Sequence, residues 1–381
     1  MADPIRVLEL LVSTDLGGGP THVRDLVAGL PREEFELTVA GPPGGASVPQ
    51  FKSLGVTFVP LHTDRLALSA LSTLRSLIRL VRDRRVEVIH SHGKGAGLYG
   101  RLAARWTRAT AIHTFHGIHY RDYPLGIRGL YLGTERWLSR RTFAVIHVSE
   151  SQAREAERVS LESPERRHII VNATDYADVR GLIARESLPR HELGLDPADL
   201  VVGTVARFDP VKGLDVLLEA FAQVLARVPT ARLLLVGGGP EERRLRELAG
   251  RLGISERVVF AGPRPASARC VRAMDLYVTA SRREGLSLAM LEAMVGGLAV
   301  VATRVTGHED VVEAGVTGLL VPPDDPAALA EVAADLLLDA PRRRIMGEAG
   351  RRRVEARFAI SRMIAQVASL YRSAAGRFAD R

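Results

Sequence analysis

One pattern governs this chain: a short apolar run, a turn carrying glycine, a stretch with helical spacing, and then the same again. Ile5 to Val12 reads as a strand, Asp15-Leu-Gly-Gly-Gly-Pro20 as its turn, and His22 to Leu30 as the helix that follows. Phe35 to Ala40, Val56 to Pro60, Val86 to His90, Ala111 to Phe115 and Phe143 to Val148 continue the strands. A basic amphipathic helix lies at Leu71 to Arg82. Strands that alternate with helices are joined by crossovers, so they run parallel, and the helices cover both faces of the sheet.

A polar stretch from about 176 to 198, broken by Pro189 and Pro197, reads as an inter-domain link. A second series then starts at Leu200 to Ala206. It continues through Arg232 to Val236, Val258 to Ala261, Leu276 to Thr279, Leu298 to Thr303 and Gly318 to Val321. A last helix, Ile360 to Ser373, follows the basic stretch Arg342 to Arg353. At 381 residues the chain is too long for one ordinary core and suits two. No short solenoid repeat is present; what recurs is a whole α/β half. The expectation is an α/β protein with two doubly wound domains facing across a cleft. They occupy residues 1–185 and 186–358, with the C-terminal helix 359–381 free to pack back on the first. Ligands of such domains sit at the carboxyl ends of the strands.

Apolar content of 46% and charged content of 25% are those of a soluble globular protein. No apolar run approaches bilayer length, and Val7 to Val12 carries Glu9, which makes it a poor signal-peptide core. The single cysteine, Cys270, excludes an internal disulfide framework and a cysteine metal site, and points to a reducing cytoplasm. Residues 1–190 hold 26 basic and 20 acidic residues, and residues 191–381 hold 26 and 24, so the N-terminal half is the more basic. Interleaved acids and only 5% aromatics argue against nucleic acid; an anionic substrate or lipid surface fits the net charge of +8 as well.

Candidate chemistry collects where strands end. Residues 284–292 read Glu-Gly-Leu-Ser-Leu-Ala-Met-Leu-Glu. Glu284 sits on the loop leaving a strand, and Glu292 more than two turns along the helix beyond it. The first N–H groups of that helix lack internal partners and favour an anion. Acceptors for sugar or ribose hydroxyls thus stand beside donors for a phosphate, which suits a nucleotide-sugar. In Gly203-Thr-Val-Ala-Arg207-Phe-Asp-Pro-Val-Lys212-Gly213, Arg207 emerges at a strand end and Lys212 heads the next helix. A guanidinium fork and an ammonium at that spacing can converge on one diphosphate. Taken singly, each pair reads more readily as solvated charge, and it is the rest of the chain that shifts the reading. His90-Ser-His92 falls at a strand end with no third ligand in view, so no metal is expected.

In order, these segments resemble the retaining glycosyltransferases of family 4, glycosyl transferases group 1, whose GT-B fold has two Rossmann-like domains. The resemblance rests on Gly17-Gly18, Arg207 to Gly213, Leu234-Leu-Val-Gly-Gly-Gly-Pro-Glu241, and Ser281-Arg-Arg-Glu284 through Glu292. Glu309-Asp-Val-Val-Glu313 with Gly318-Leu-Leu-Val-Pro322 also matches. It spans nearly the whole chain and is denser in the C-terminal half. It implies transfer of a sugar, with retention, from a nucleotide-diphosphate donor to an acceptor hydroxyl. Under it, His116 faces the donor sugar and Glu284 holds sugar hydroxyls near the reacting carbon. Arg207 and Lys212 clamp the diphosphate, and the backbone N–H groups of Leu286 and Ser287 bind phosphate or sugar. Glu292 accepts from the ribose, and backbone groups around Gly262 to Arg264 meet the base. Gly17 and Gly18 let the backbone approach the phosphate, and His119 is a second candidate beside His116. No metal and no cofactor beyond the nucleotide-sugar co-substrate is implied. This chain departs from the family at Asn172-Ala173, where Asn-Gly is usual, and at Gly19-Pro20 in the first loop.

Other readings compete. A nucleotide-sugar epimerase of the same fold would hold the same donor. An α-glucan phosphorylase would need a pyridoxal-phosphate lysine and a far longer chain. A non-catalytic binder of nucleic acid or membrane would explain the charge but not the Glu284/Glu292 and Arg207/Lys212 sets. Under the resemblance the acceptor falls to the N-terminal domain, near Thr63 to Arg85, Lys94 to Arg105 and Tyr120 to Trp137, which mix Arg with Leu, Ile, Tyr and Trp. That composition suits a carbohydrate or lipid-linked acceptor, such as a surface-polysaccharide sugar, met peripherally at the inner face of a membrane. It equally suits ordinary amphipathic helices packed on the sheet.

Overall fold

The computed structural model describes residues 3–63, 70–118, 120–264 and 266–379. His119 and residues 64–69 of the expected acceptor stretch lie outside the described residues. The chain folds as two compact units, Met1–Asn172 with Ile360–Arg381, and Ala173–Ala359.

The first unit alternates strand and helix: β1 (Ile5–Leu11), α1 (Gly18–Gly29), β2 (Phe35–Gly41), α2 (Val48–Ser53), β3 (Thr57–Pro60) and α3 (Ala70–Asp83). It continues with β4 (Val88–His92), α4 (Lys94–Arg105), β5 (Thr110–Phe115), α5 (Leu125–Ser139), β6 (Ala144–His147), α6 (Glu150–Arg158) and β7 (Arg167–Ile169). All seven strands are parallel, in the order β3-β2-β1-β4-β5-β6-β7. Helices cover both faces, so β4, β5 and β6 are buried along their whole length. The apolar run at Val86 to His90 predicted β4 two residues early. Pairing with β1 decides its place, setting Leu11 opposite His92. The short β7 is not anticipated, since it opens on Arg167 and His168, ahead of the apolar Ile169 to Val171.

The second unit contains α7 (Tyr176–Glu186), β8 (Leu200–Val205), α8 (Leu214–Arg227), β9 (Ala231–Val236), α9 (Glu242–Arg251), β10 (Val258–Gly262) and β11 (Leu276–Thr279). Then come α10 (Leu288–Val295), β12 (Val300–Thr303), α11 (His308–Val311), β13 (Gly318–Val321), α12 (Pro326–Leu338) and α13 (Ala340–Arg357). Its sheet is also all parallel, in the order β10-β9-β8-β11-β12-β13. Val202, Leu233, Leu235, Leu276, Val278 and Val301 from the strands, with Leu217, Phe221 and Leu337 from α8 and α12, make its core. The last helix, α14 (Ile360–Ala379), runs beyond the expected Ser373 and belongs with the first unit. It buries Met363, Val367, Tyr371 and Ala374, one stripe at helical spacing.

The stretch 176–198 is not the linker that its composition suggested. Asp175 Oδ1 accepts from the Asp178 N–H at 2.9 Å and starts α7. Val179 and Ile183, four apart, are buried. The boundary is therefore at 172/173, not 185/186, because an apolar pair on one helix face outweighs a polar average over the segment. The glycine turn is also shorter than expected, since α1 begins at Gly18. Pro20 fits its first turn, where an N–H has no helical partner to lose.

Ile183→Ala is expected to destabilise the second unit by about 2–4 kcal/mol, as for a core residue. A linker residue would change stability by no more than about 0.5 kcal/mol. Urea denaturation of the two proteins separates these outcomes.

Candidate active site

Each sheet has one place where its strand order turns back, between β1 and β4 in the first unit and between β8 and β11 in the second. Crevices at the carboxyl ends of such strands are where doubly wound sheets hold ligands. Each unit has a polar cluster there.

In the second unit, β8 leads to Arg207 and β11 to Glu284. Between β8 and α8 a turn at Pro210–Lys212 closes on Gly213, which has φ +60°. A Cβ on Gly213 would lie 2.1 Å from the Ala280 carbonyl oxygen, so only glycine allows this turn to press against the end of β11. That approach brings Lys212 Nζ to 2.6 Å from Glu284 Oε1. Ser281 Oγ donates to the same oxygen at 2.9 Å. Arg282 anchors the loop, forking onto both oxygens of Asp215 at 3.0 Å each and reaching Asp324 at 2.6 Å. From behind, Gly307 packs on Gly285, where a Cβ would meet the carbonyl oxygen at 2.4 Å.

Burial alone would push the Glu284 carboxyl up. Lys212, His308 and the hydrogen bonds from Lys212 and Ser281 override it and hold the group below its ordinary value, as a carboxylate. His308 is held below its ordinary value by burial, only partly opposed by Glu284 and by its bond to the backbone. Its Nδ1–H donates to the Thr303 carbonyl at 2.9 Å, and its Nε2 is buried without a partner.

The other expected residues are placed as follows. Arg207 is exposed and donates through Nε to Asp209, so the structure does not converge it with Lys212. Residues 284–287 form a loop, and α10 starts only at Leu288, with Ser287 Oγ accepting from the Met290 N–H at 3.3 Å. Glu292 is thus little more than one turn into the helix, a correction to the expected two, and accepts from Ser267 Oγ at 3.1 Å. Among the described residues, the backbone N–H groups of Leu286 and Ser287 donate to no protein acceptor. Gly262 ends β10 with φ +71°, its carbonyl accepting from Gly237 N–H at 3.0 Å. Arg264 is exposed, with Nε donating to the Ala261 carbonyl at 3.1 Å.

In the first unit, Glu9 lies in the middle of β1 with no exposure. Its oxygens are met by Tyr371 O–H of α14 at 2.5 Å and by His92 Nε2 at 2.8 Å. One neutral tautomer set satisfies the whole chain of bonds. Thr114 Oγ1 donates to His90 Nε2 at 2.7 Å, and His90 Nδ1–H donates to Tyr371 Oη at 2.6 Å. Tyr371 and His92 Nε2–H donate to Glu9, and His116 Nε2–H donates to His92 Nδ1 at 3.1 Å. His116 is left presenting Nδ1 as a lone pair. It sits beside the start of α1: a Cβ on Gly19 would lie 3.9 Å from its Cδ2, and the His22 ring is 5.0 Å away. Gly17 and Gly18, with nothing within 4 Å of either position, leave the N-terminus of α1 open.

The expectation that His90 and His92 lack a third ligand is corrected. The ligand atoms of His22, His92 and His116 lie within 4.8 Å of one another, as do those of Glu9, His90 and His92. The second set is occupied by the hydrogen bonds above. In the first, His22 Nδ1–H donates to Asn172 Oδ1 at 2.6 Å and leaves Nε2 buried and unpartnered, but His92 Nδ1 accepts from His116, so a metal held by these three imidazoles would have to replace that bond. Neither Asn172 nor Ala173 has a positive φ, so alanine fits where glycine was expected.

Sequence reasoning took Glu9 only as a flaw in an apolar run. A charge in the middle of a buried strand was the available signal. Ser281 and Arg282 lay within a motif but had no role assigned, and His22, His308 and Tyr371 carried no signal.

Two families match the chain: Glycosyl transferases group 1 over residues 188–353, and Glycosyl transferase 4-like domain over residues 17–173. The chain is 27% identical to EpsD of Bacillus subtilis (strain 168) over 320 residues, 82% of this chain and 83% of that protein. It is 32% identical over 278 residues to the D-inositol 3-phosphate glycosyltransferase of Nocardia farcinica (strain IFM 10152), covering 68% of this chain and 61% of that protein. Among solved structures, Anabaena Alr3699/HepE in complex with UDP-glucose superposes with a TM-score of 0.83 over 97% of this chain and 100% of that one. At 23% identity that likeness speaks for the fold, which is GT-B.

Burial holds His22, His90, His113 and His116 below the ordinary histidine value of 6.5, His22 at about 3. Below pH 6.5 the unfolded chain binds protons that these folded histidines refuse, so stability rises with pH until the unfolded histidines are neutral. The first unit should therefore lose stability from about pH 7 to about pH 5, each histidine adding up to about 1.4 kcal/mol per pH unit. The Glu284 contribution persists through this range and is lost only as pH falls further, through its depressed value. Denaturation midpoints against pH should fall less steeply in His22→Gln; parallel profiles would refute the assignment.

Proposed function

We propose that this chain, which belongs to the group 1 glycosyl transferases and is a glycosyltransferase, works with retention, moving a sugar from a nucleotide-diphosphate donor to an acceptor hydroxyl. The observation that carries the proposal is the Lys212–Glu284 contact at the mouth of β11, beside the N-terminus of α10. A cation, open backbone N–H groups and a carboxylate converge on one spot, which matches a phosphate bonded to a polyol.

In the proposed step, the acceptor oxygen bonds to the anomeric carbon on the face the diphosphate leaves. The carbon–oxygen bond to phosphate breaks with its electron pair going to the diphosphate, which takes the acceptor's proton. Negative charge grows on the diphosphate, and groups already set in place stabilise it without reorganisation. Lys212 keeps two further N–H donors for this while bonded to Glu284, and Arg207 joins it by leaving Asp209. Leu286 and Ser287 donate from the backbone. Glu284 accepts from sugar hydroxyls, and His116, neutral through burial, accepts from another at Nδ1. Glu292 accepts from the ribose, Gly262 and Arg264 meet the base, and the open turn at Gly17 and Gly18 admits the phosphate.

The UDP-glucose held by the Anabaena relative makes uridine the first base to test. A carbohydrate or lipid-linked acceptor fits the first unit. There Lys94 stands 4.7 and 5.2 Å from the Tyr123 and Tyr131 rings, and α5 exposes Leu125, Ile127 and Leu130. No helix of the described residues is long and apolar enough to cross a membrane.

Glu284→Gln should cut turnover by on the order of 10²–10³ with nucleotide affinity nearly unchanged, whereas Glu292→Ala should weaken nucleotide binding first. Equal loss of kcat and affinity in both would refute the division of roles. Lys212→Ala should weaken a nucleoside diphosphate more than the nucleoside, as titration calorimetry will show. Turnover should also survive EDTA; activity lost to EDTA and restored by a divalent ion would move the step to the three imidazoles of His22, His92 and His116.

A further inference from the structure

The opposite edge of the first sheet carries a second cluster that the transfer reaction does not use. A cavity of about 410 Å³ opens at the amino ends of β5, β6 and β7. Ligand pockets span roughly 300–1,000 Å³, so the volume suits a small molecule or head group. Arg101, Arg105, Arg140, Arg141, Arg166 and Arg377 line it, and no carboxylate does. They come from the ends of α4 and α5, the turn before β7 and the last turns of α14, and so meet only in the folded unit. Thr110 and Ala111 at the start of β5 form part of the wall. Phe115 ends that strand just before His116, on the order of 16 Å away at about 3.3 Å per residue.

Arg101 shows that this is more than solvated surface charge. Its side chain is buried, the residue being only 4% exposed. Nε donates to the Gly97 carbonyl at 2.8 Å and Nη2 to Glu135 at 2.7 Å, but Nη1 is buried with no partner. Beside it, Thr110 Oγ1 is also buried and unpartnered. A buried charged donor left unsatisfied is destabilising, and five further guanidinium groups around it add repulsion. Arg141 and Arg377 are held over the rings of Trp137 and Phe143, at 4.5 and 5.7 Å, and Arg166 donates to the Thr142 carbonyl. The side chains of Arg105 and Arg140 make no hydrogen bond or ion pair among the described residues.

We infer that this cavity is a binding site for a phosphate group, separate from the donor site. Guanidinium forks match phosphate oxygens two at a time, and the Thr110 hydroxyl supplies a further donor. Phosphate on a soluble metabolite and phosphate in a lipid head group offer the same chemistry, and experiment distinguishes them.

Removing Arg101 would strand Glu135 in the interior, so the double variant Arg105→Ala/Arg140→Ala is the better test; neither side chain supports another group. Glycerol 1-phosphate binding is measured by titration calorimetry, and vesicle binding by flotation with phosphatidylglycerol against phosphatidylcholine alone. Thermal unfolding of the variant should match the parent. A phosphate site predicts that one probe binds the parent and binds the variant roughly tenfold more weakly or less. Glycerol 1-phosphate alone identifies a soluble ligand; phosphatidylglycerol vesicles identify a lipid head group. Equal binding of both probes to parent and variant, or none to either, overturns the inference.

Discussion

A parallel sheet covered on both faces leaves polar chemistry two places, the carboxyl edge and the amino edge, because the middle of each strand lies in a dry interior. Glu9 breaks that rule, and the first unit is arranged around the consequence. A carboxylate in mid-strand must have its oxygens hydrogen-bonded, and β1 itself cannot do it. The donors come from His92 on the neighbouring strand and Tyr371 on the last helix. Satisfying Glu9 thus docks α14 on the sheet and fixes the tautomers of His90, His92 and His116 in succession. A histidine at the edge is thereby oriented from a charge several residues inside.

The second unit solves a similar problem with an ion pair. Glu284 is held ionised despite burial because Lys212 and Ser281 meet the same oxygen, and Arg282 ties the loop to Asp215 and Asp324. Glycine at 213 and 307 is what allows the three chain segments to lie that close. The same contacts that stabilise the unliganded loop place a cation, a carboxylate and a helix N-terminus together. In the proposed reaction, binding and rate draw on geometry of this kind, already present in the fold.

The two edges of the first sheet differ in charge balance. At the carboxyl edge His90 and His116 are neutral and the chain of hydrogen bonds ends on one carboxylate; at the amino edge six arginines line a cavity whose walls hold none, although Arg101 is paired with Glu135. A neutral edge suits a sugar, whose hydroxyls need donors and acceptors. A cationic edge suits a phosphate.

Much of this was legible from residue order. Alternating apolar runs and glycine turns located the strands of both sheets, apart from the three-residue β7, because a doubly covered strand must be apolar over its length. Glu284 and Arg207 stood out through their positions at strand ends, and Lys212 and Glu292 through their places on the segments that follow. Other features had no local sign. Lys212 meets Glu284 across 72 residues and Tyr371 meets Glu9 across 362. The two-residue shift of β4, which carries His92 to the sheet edge, came from pairing with β1. Val179 and Ile183 turned an apparent linker into a packed helix. Periodicity is written within a few residues, so the sequence alone determines which segments are strands and helices. Which side chains converge depends on registers between segments far apart in the chain, and those are settled only when the sheets close and their cores pack.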